Sequence, residues 1–574
     1  MKLFCAVLIL LSPILLSDIT YSQWSSDSTV NLNISDLNGD QALPKMSLTS
    51  DGGCYISWFD NRNGSYAVYL QKLNQAGVKQ FQTDGLLVSA NPQSTSLVDW
   101  DMITDNQDNA IIVFTDTRNG SSINPFAYKI SPAGDFLWGS NGVTLSTDVN
   151  TFQPNPKVIQ TSDSNYVVTW VYSSSPNKIA FQKLSPSGTK LWGADPVYVA
   201  GGVSENYTYP SIVTSDNGSV IALWAGYTGS FINPGNYRLY SRKFSPSSST
   251  VWQDTVYSLG RVTGFFVPKI FSDRNNGALY VWQDDRNSVN LQSSFVQHIA
   301  SDGSIQFPLN GTEVSSAAGN NKFDAWASYM PATSETFVIF KMTNSLQSQF
   351  AVYGQKISLK GDRQWGFDGI AFQQFGQNSM EKLLCMVQDT LVVFAFNESI
   401  FGSVNNQIKY FTASRSAVIG WGGYIHFLSS VAGEKLKLVG VINSNRMSML
   451  AWSDRRIDGG GIYAQNINSN GSLGNLTGIN PAGTEVPGGF KLEQNYPNPF
   501  NPETKVVFSI PENSFISLNV FDVLGNKVKT IVNGKINAGT YEVTINGNDL
   551  TSGVYFYRLI SGKTEITRKM LLIR

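Results

Sequence analysis

Trp58-Phe-Asp60-Asn-Arg62-Asn-Gly64 is the stretch that decides the fold, because it returns. It comes back as Phe114-Thr-Asp116-Thr-Arg118-Asn-Gly120, as Trp282-Gln-Asp284-Asp-Arg286-Asn and as Trp452-Ser-Asp454-Arg-Arg456. Between these copies the aromatic residue recurs alone, at Trp170, Trp224, Phe340 and Phe394. The eight anchors, 58, 114, 170, 224, 282, 340, 394 and 452, lie 54 to 58 residues apart. A fixed period of this length is the signature of a repeat architecture.

Each unit carries four short strand signals. The first is apolar and often opens on proline: Pro44-Lys-Met, Pro156-Lys-Val, Pro210-Ser-Ile, Pro268-Lys-Ile. A polar turn follows, then a β-branched and aromatic run that ends in the anchor, as pleated packing favours. The third strand carries a Gln with a Gly six residues on: Gln71/Gly77, Gln182/Gly188, Gln297/Gly303, Gln355/Gly361, Gln465/Gly471. A fourth strand is expected to start at a second aromatic: Phe81, Trp138, Trp192, Trp252, Phe307, Trp365. Eight such units predict an all-β, eight-bladed β-propeller over residues 23–478. The last unit, with a poor fourth strand after Leu473, is expected to be closed by Thr29-Val-Asn-Leu-Asn-Ile34, which removes two open sheet edges.

Composition agrees. Charged residues are 14% of the 574, well under the usual share of about a quarter, and the net charge is −1. No electrostatic footprint for nucleic acid follows from that balance. Residues 1–22, with Lys2, the apolar run Leu3–Leu16 and Thr20-Tyr-Ser22, read as a secretory signal peptide. That run is shorter than the roughly 20 residues of a membrane span, and no later segment is apolar enough to cross. Cys54 and Cys385 remain beyond it and are expected to be free and buried.

Residues 479–490, rich in Pro and Gly, read as a linker. Beyond them the alternation in Lys505–Ile510, Ser517–Phe521, Gly539–Val543 and Gly553–Arg558 predicts a small sandwich over 491–574. Its expected core is Val507, Phe508, Leu518, Val520, Val543, Tyr555 and Leu559. The ordered motifs Asn495-Tyr-Pro-Asn-Pro-Phe-Asn-Pro, Phe521-Asp-Val-Leu-Gly525, Ser552-Gly-Val-Tyr-Phe-Tyr and Lys569-Met-Leu-Leu-Ile-Arg574 resemble the C-terminal sorting domain of type IX secretion. The resemblance implies an immunoglobulin-like β-sandwich. It also implies a partner, the outer-membrane translocon, and export through the periplasm to the cell surface or medium. The Trp-x-Asp-x-Arg repeat is similar to repeats of exported bacterial propellers, which have no assigned chemistry.

Chemistry is scarce in the remaining residues. His298 and His426 are the only histidines, and no sequence neighbour makes either a general base. No metal cluster or cofactor is expected. Asp36-Leu-Asn-Gly-Asp40 resembles a calcium loop only faintly, without the downstream Glu. The Asp-Arg pairs either bind each other and cap turn amides or present a ligand surface. Asp60/Arg62, Asp116/Arg118 and Asp454/Arg456 become neighbours once the ring closes. The starts of the innermost strands form the funnel mouth. Asp99 and Asp101 lie there around Trp100, with Tyr207 and Tyr209 in the fourth unit and Asp324 and Trp326 in the sixth. Acids mixed with aromatics suit a sugar or peptide ligand; the plain alternative is polar strand ends around a water-filled channel. Two readings follow: a non-catalytic secreted or surface propeller that binds glycan or protein, or a propeller hydrolase using carboxylates.

Overall fold

The computed structural model describes residues 23–93, 99–120, 122–231, 234–259, 267–287, 291–456, 459–474, 480–481, 487–512, 514–536, 538–547, 550–562 and 564–573. The expected signal peptide, residues 1–22, lies outside them. Among the described residues the structure is all β apart from one 3-10 turn at Asp216–Gly218.

Seven four-stranded antiparallel sheets follow one another in simple order, the first built from Gln41–Leu48, Cys54–Asp60, Tyr66–Leu73 and Leu86–Gln93. The eighth takes three strands, Lys435–Ile442, Ser448–Asp454 and Gly461–Ile467, from the end of the array. Its fourth strand is Leu32–Ser35, paired antiparallel with Leu32 opposite Ala464. The expected closure by the N-terminal strand is thus the observed one. Eight apolar clusters fill the eight interfaces between adjacent blades, and one of them joins Ile34, Met449 and Ala464 of blade eight to Ile56 and Trp58 of blade one. The ring is therefore sealed by the same kind of burial everywhere, and each anchor aromatic sits in the cluster toward the preceding blade.

A second seal runs around the rim. The indole N–H of Trp138 donates to Pro186 of the next blade, Trp192 to Pro246, Trp252 to Ser301, Trp365 to Arg415 and Trp421 to Ser469, at 2.8–3.2 Å. Trp24 does the same for blade eight, donating to the Gln75 carbonyl at 2.9 Å. Its ring lies over Gly77, where an added Cβ would meet it at 2.8 Å, and Gly77 has φ +81°. Gly77, Gly188, Gly303 and Gly471 of the Gln/Gly pairs are thus required twice, by a left-handed turn and by the preceding blade's indole. These aromatics mostly stand ahead of the fourth strands rather than starting them: Trp138 precedes Val143–Thr144 and Trp192 precedes Val197–Val199.

The tail forms two four-stranded sheets around one core. Phe508, Leu518, Val520, Val543, Tyr555 and Leu559 are in it as expected, but Val506 replaces Val507. Val507 faces outward because side chains alternate along Glu503–Ile510 and Phe508 fixes the inward face. Asn480–Pro481, expected in the linker, pair with Glu542 and Tyr541 of this domain, and Phe490 packs on its core; residues 482–486 lie outside the described residues. Lys527–Ile536 and Thr564–Leu572 are further strands.

Candidate functional site

The Asp-Arg pairs are internal clips. In blade one the Trp58 indole donates to Asp60 Oδ2 at 3.0 Å, and the Arg62 backbone N–H donates to Oδ1 at 2.9 Å. The Arg62 guanidinium also pairs with Asp60 and lies 4.0 Å from the Tyr69 ring centroid. Blade two repeats this with Asp116, Arg118 and Phe126, blade five with Asp284, Arg286 and Phe295, and blade eight with Asp454, Arg456 and Tyr463. All four carboxylates are 0–1% exposed. Blades eight, one and two do stand side by side, yet each pair is turned inward: its carboxylate is spent on its own Arg, in blades eight and one also on its own Trp, and in blades one and two also on the turn N–H. The third-strand aromatic that stacks under each Arg was missed in the sequence. Its signal was present, since Tyr69, Phe126, Phe295 and Tyr463 each lie directly across the ladder from their anchor. Two of the clips hold the closing strand: Arg62 donates to Ser35 Oγ and Arg456 to Asn31 Oδ1, at 3.1 and 3.0 Å.

At the channel mouth each first strand presents one residue at the same register: Leu43, Asp99, Asn155, Tyr209, Val267, Asp324, Lys382 and Lys437. Six of these, all but Asp99 and Val267, have φ of 51–60°. Left-handed conformations in non-glycine residues cost on the order of 1 kcal/mol each. Bulges at five of the six, such as that between Thr208 and Ser211, re-aim the side chain. Strain repeated at one register is a reason to look for function there.

Two cavities open on this ring. The larger, about 480 Å³, is lined by Asp99, Lys157, Tyr209, Lys269 and Trp326 among others. The second, about 280 Å³, also uses Asp99 and adds Lys382, Lys437 and Arg455. The larger falls within the roughly 300–1,000 Å³ of ligand sites. Of the expected mouth residues, Asp99, Tyr209 and Trp326 thus share one cavity. Asp324 pairs with Lys341 at 3.3 Å beside it. Tyr207 does not line the cavity: it is buried between blades three and four against Trp224 and Tyr240. The bulge after Thr208 breaks the alternation that would have placed Tyr207 and Tyr209 on one face. Asp101 points into the wall, where it accepts the Val158 N–H at 3.1 Å.

Electrostatics separate these groups. Burial pushes Asp99 up, but the ammonium groups of Lys45 and Lys157 outweigh it and hold the carboxylate far below its usual range. Asp101 goes the other way, raised by burial against the same two lysines. Burial pulls Lys269 down to about 8, opposed only weakly by Asp324. Lys157 and Lys269 were not singled out from the sequence, although Pro-Lys opens three of the first strands.

The other candidates are accounted for by packing. His298 is buried with Nε2 2.9 Å from Asp273 Oδ2, a partner the sequence did not reveal, and His426 Nε2 lies 2.7 Å from the Trp421 carbonyl. Lys129–Asp105 and Lys183–Asp163 occupy the His298–Asp273 place in other blades. Cys54 and Cys385 are free and buried. Asp36 accepts from Tyr463 and Asp40 from Tyr66. Among the described residues no three His, Cys, Asp or Glu converge as metal ligands, and no helix is long and apolar enough to cross a membrane.

Residues 494–573 match the family described as the secretion system C-terminal sorting domain. The tail is a sorting domain of type IX secretion, its cargo is a β-propeller, and the chain is exported to the cell surface or the extracellular space. No curated protein matches the chain. Among solved structures, the Dos1 propeller is similar at 10% identity over 77% of this chain and 95% of its own, with a TM-score of 0.41. Polysaccharide lyase Uly1 is similar at 10% identity over 77% and 91%, with a TM-score of 0.39. An endo-arabinase from Bacteroides thetaiotaomicron is similar at 13% identity over 49% and 97%, with a TM-score of 0.27. Likeness at this level adds nothing to the site.

Proposed function

We propose that this is a secreted, non-catalytic binding propeller whose channel mouth takes a glycan or protein ligand outside the cell. In this reading residues 1–22 are a signal peptide, 23–478 the binding ring and 491–574 the export domain. The observation that carries it is the convergence of Tyr209, Trp326, Asp99, Lys157 and Lys269 on one cavity of about 480 Å³, where the Tyr209 backbone is held in a costly left-handed conformation. Rings with an apolar face beside a few convergent polar groups are what a binding site requires. The clips support the division of labour, since their carboxylates are buried. The mature chain, residues 23–574, screened on a glycan and protein array, tests it. Binding abolished by Tyr209→Ala and Trp326→Ala, with intact clips, is the expected result; binding unaffected by both substitutions places the site elsewhere.

One observation favours the hydrolase reading: Asp99 and Asp101 are driven apart in acidity, as an acid–base pair is. Against it, Asp99 is neutralised by two lysines and Asp101 faces a backbone N–H. Polysaccharide and peptide turnover that Asp99→Asn and Asp101→Asn each abolish establishes that second reading instead.

A further inference from the structure

We propose that the channel mouth selects an acidic polysaccharide, one bearing carboxylate or sulfate groups, and that Lys269 is its anion anchor. This rests on the reading of the mouth as a ligand site. The two cavities share Asp99 and together present Lys157, Lys269, Lys382, Lys437 and Arg455 against only Asp40 and Asp99. The chain as a whole carries −1, so this local excess of positive charge is not inherited from bulk composition.

Most of these charges are already spent. Asp99 is divided between Lys45 and Lys157. Arg455 pairs with Glu434 at 2.8 Å, and Lys382 lies 3.8 Å from Glu381. Among the described residues, no carboxylate forms an ion pair with Lys269 or Lys437. The Lys269 ammonium donates to the Ala325 carbonyl at 2.8 Å and lies 5.2 Å from the Trp326 ring centroid. A cation that has given up hydration without gaining a counter-ion is undercompensated. An anion entering the cavity supplies what is missing. Burial depresses Lys437 as well as Lys269, and Lys269, at about 8, still holds its proton at neutral pH.

A sugar fits better than an acidic peptide because the aromatic rings open on the same cavity as the ammonium. An acid-bearing sugar offers a flat apolar face and an anionic group within one residue. Trp326 and Tyr209 suit the first and Lys269 the second.

Titration calorimetry on the mature chain, residues 23–574, tests this with polygalacturonate, its methyl-esterified form, chondroitin sulfate, dextran and poly-glutamate as probes. The expected result is that at least one of polygalacturonate and chondroitin sulfate binds about tenfold or more tighter than the esterified polymer and dextran, with affinity falling as salt rises. Lys269→Met should cost about tenfold and Lys269→Arg much less. Equal affinity for free and esterified polymer overturns the anion assignment while leaving the mouth a sugar site. Tighter binding of poly-glutamate than of either acidic polysaccharide overturns it in favour of an acidic peptide. No binding of any probe overturns this inference, and the reading beneath it then stands or falls on the glycan and protein array with Tyr209→Ala and Trp326→Ala. Should Lys269→Met fail to fold, the esterification and salt comparisons decide on the unaltered chain.

Discussion

Blades one, two, five and eight differ from blades four, six and seven in where the second strand stops. In the first group it ends two residues past the anchor, at Asp60, Asp116, Asp284 and Asp454, after seven residues. In the second it runs ten residues, to Gly229, Asn344 and Ile400. In all four short blades the carboxylate pairs with the Arg two residues on, and in blades one and five it captures both the indole behind it and the N–H two residues ahead. Blade three stops at the same place, at Tyr172, without a carboxylate, while blades four, six and seven run on. At the clip position blade four has Gly226, where a Cβ would meet Tyr240, Glu205 and Tyr207 at 2.7–2.9 Å, so no clip fits. The short blades brace the ring. Two of the tall ones, four and six, supply Tyr209 and Trp326 to the larger cavity.

The largest effect expected comes from breaking the braced side at its seam. Deleting residues 24–35 removes Trp24, Leu32 and Ile34, each 0–4% exposed. At roughly 1.5–3 kcal/mol per buried side chain, the loss should lower the melting temperature steeply; an unchanged melt refutes closure by this strand. Next, Asp284→Ala strands the Trp282 indole and the Arg286 guanidinium in the interior, at a cost of about 3–5 kcal/mol. Denaturant unfolding should register that, while ligand affinity stays the same. Trp326→Ala is the converse. It removes a half-buried ring packed at a tilt against Phe271, so stability should fall by only about 1–2 kcal/mol while binding disappears. If Asp284→Ala weakens binding as much as Trp326→Ala does, the division between brace and site fails.

The smallest effect is a slope. Each region holds one lysine that burial depresses to about 8: Lys435 in the braced blade eight, facing Asp454 and Arg456, and Lys269 in the mouth, facing Asp324. An unfolded lysine titrates near 10.4. Between about pH 8 and 10 each of these lysines is neutral in the folded chain and charged in the unfolded one, so each adds stability as pH rises. Burial pushes the Cys54 and Cys385 thiols up, and they act in the opposite sense, because unfolded thiols ionise in that window and the buried ones do not. Denaturant midpoints measured from pH 7.5 to 9.5 should therefore show a less positive slope in Lys269→Met and in Lys435→Met than in the unaltered chain, and a slope that neither substitution changes contradicts both shifts.

The period made the ring legible, and Thr29–Ile34 made the closure legible, because an unassigned alternating strand stood where a fourth strand was lacking. Trp24 was missed: it sits just beyond the expected leader, with no Gly turn of its own nearby to mark it. Val506 and Val507 are adjacent and identical, so pattern alone gave no register. The mouth was read half correctly. Asp99, Tyr209 and Trp326 meet there, but a bulge reverses Tyr207, and bulges leave no compositional trace. The clips were open to a packing reading from the start, since Asp and Arg two apart reach each other without help.

The closing strand also sets a clock. Leu32 is made long before its partner Ala464, and at 5–20 residues per second the interval is on the order of tens of seconds. Throughout it, blade eight does not exist and blade one lacks a neighbour on one side. The ring has no way to lock until nearly all of it has been made. The first strand made is the last to find its place, and only afterwards is there a closed ring ahead of the sorting domain.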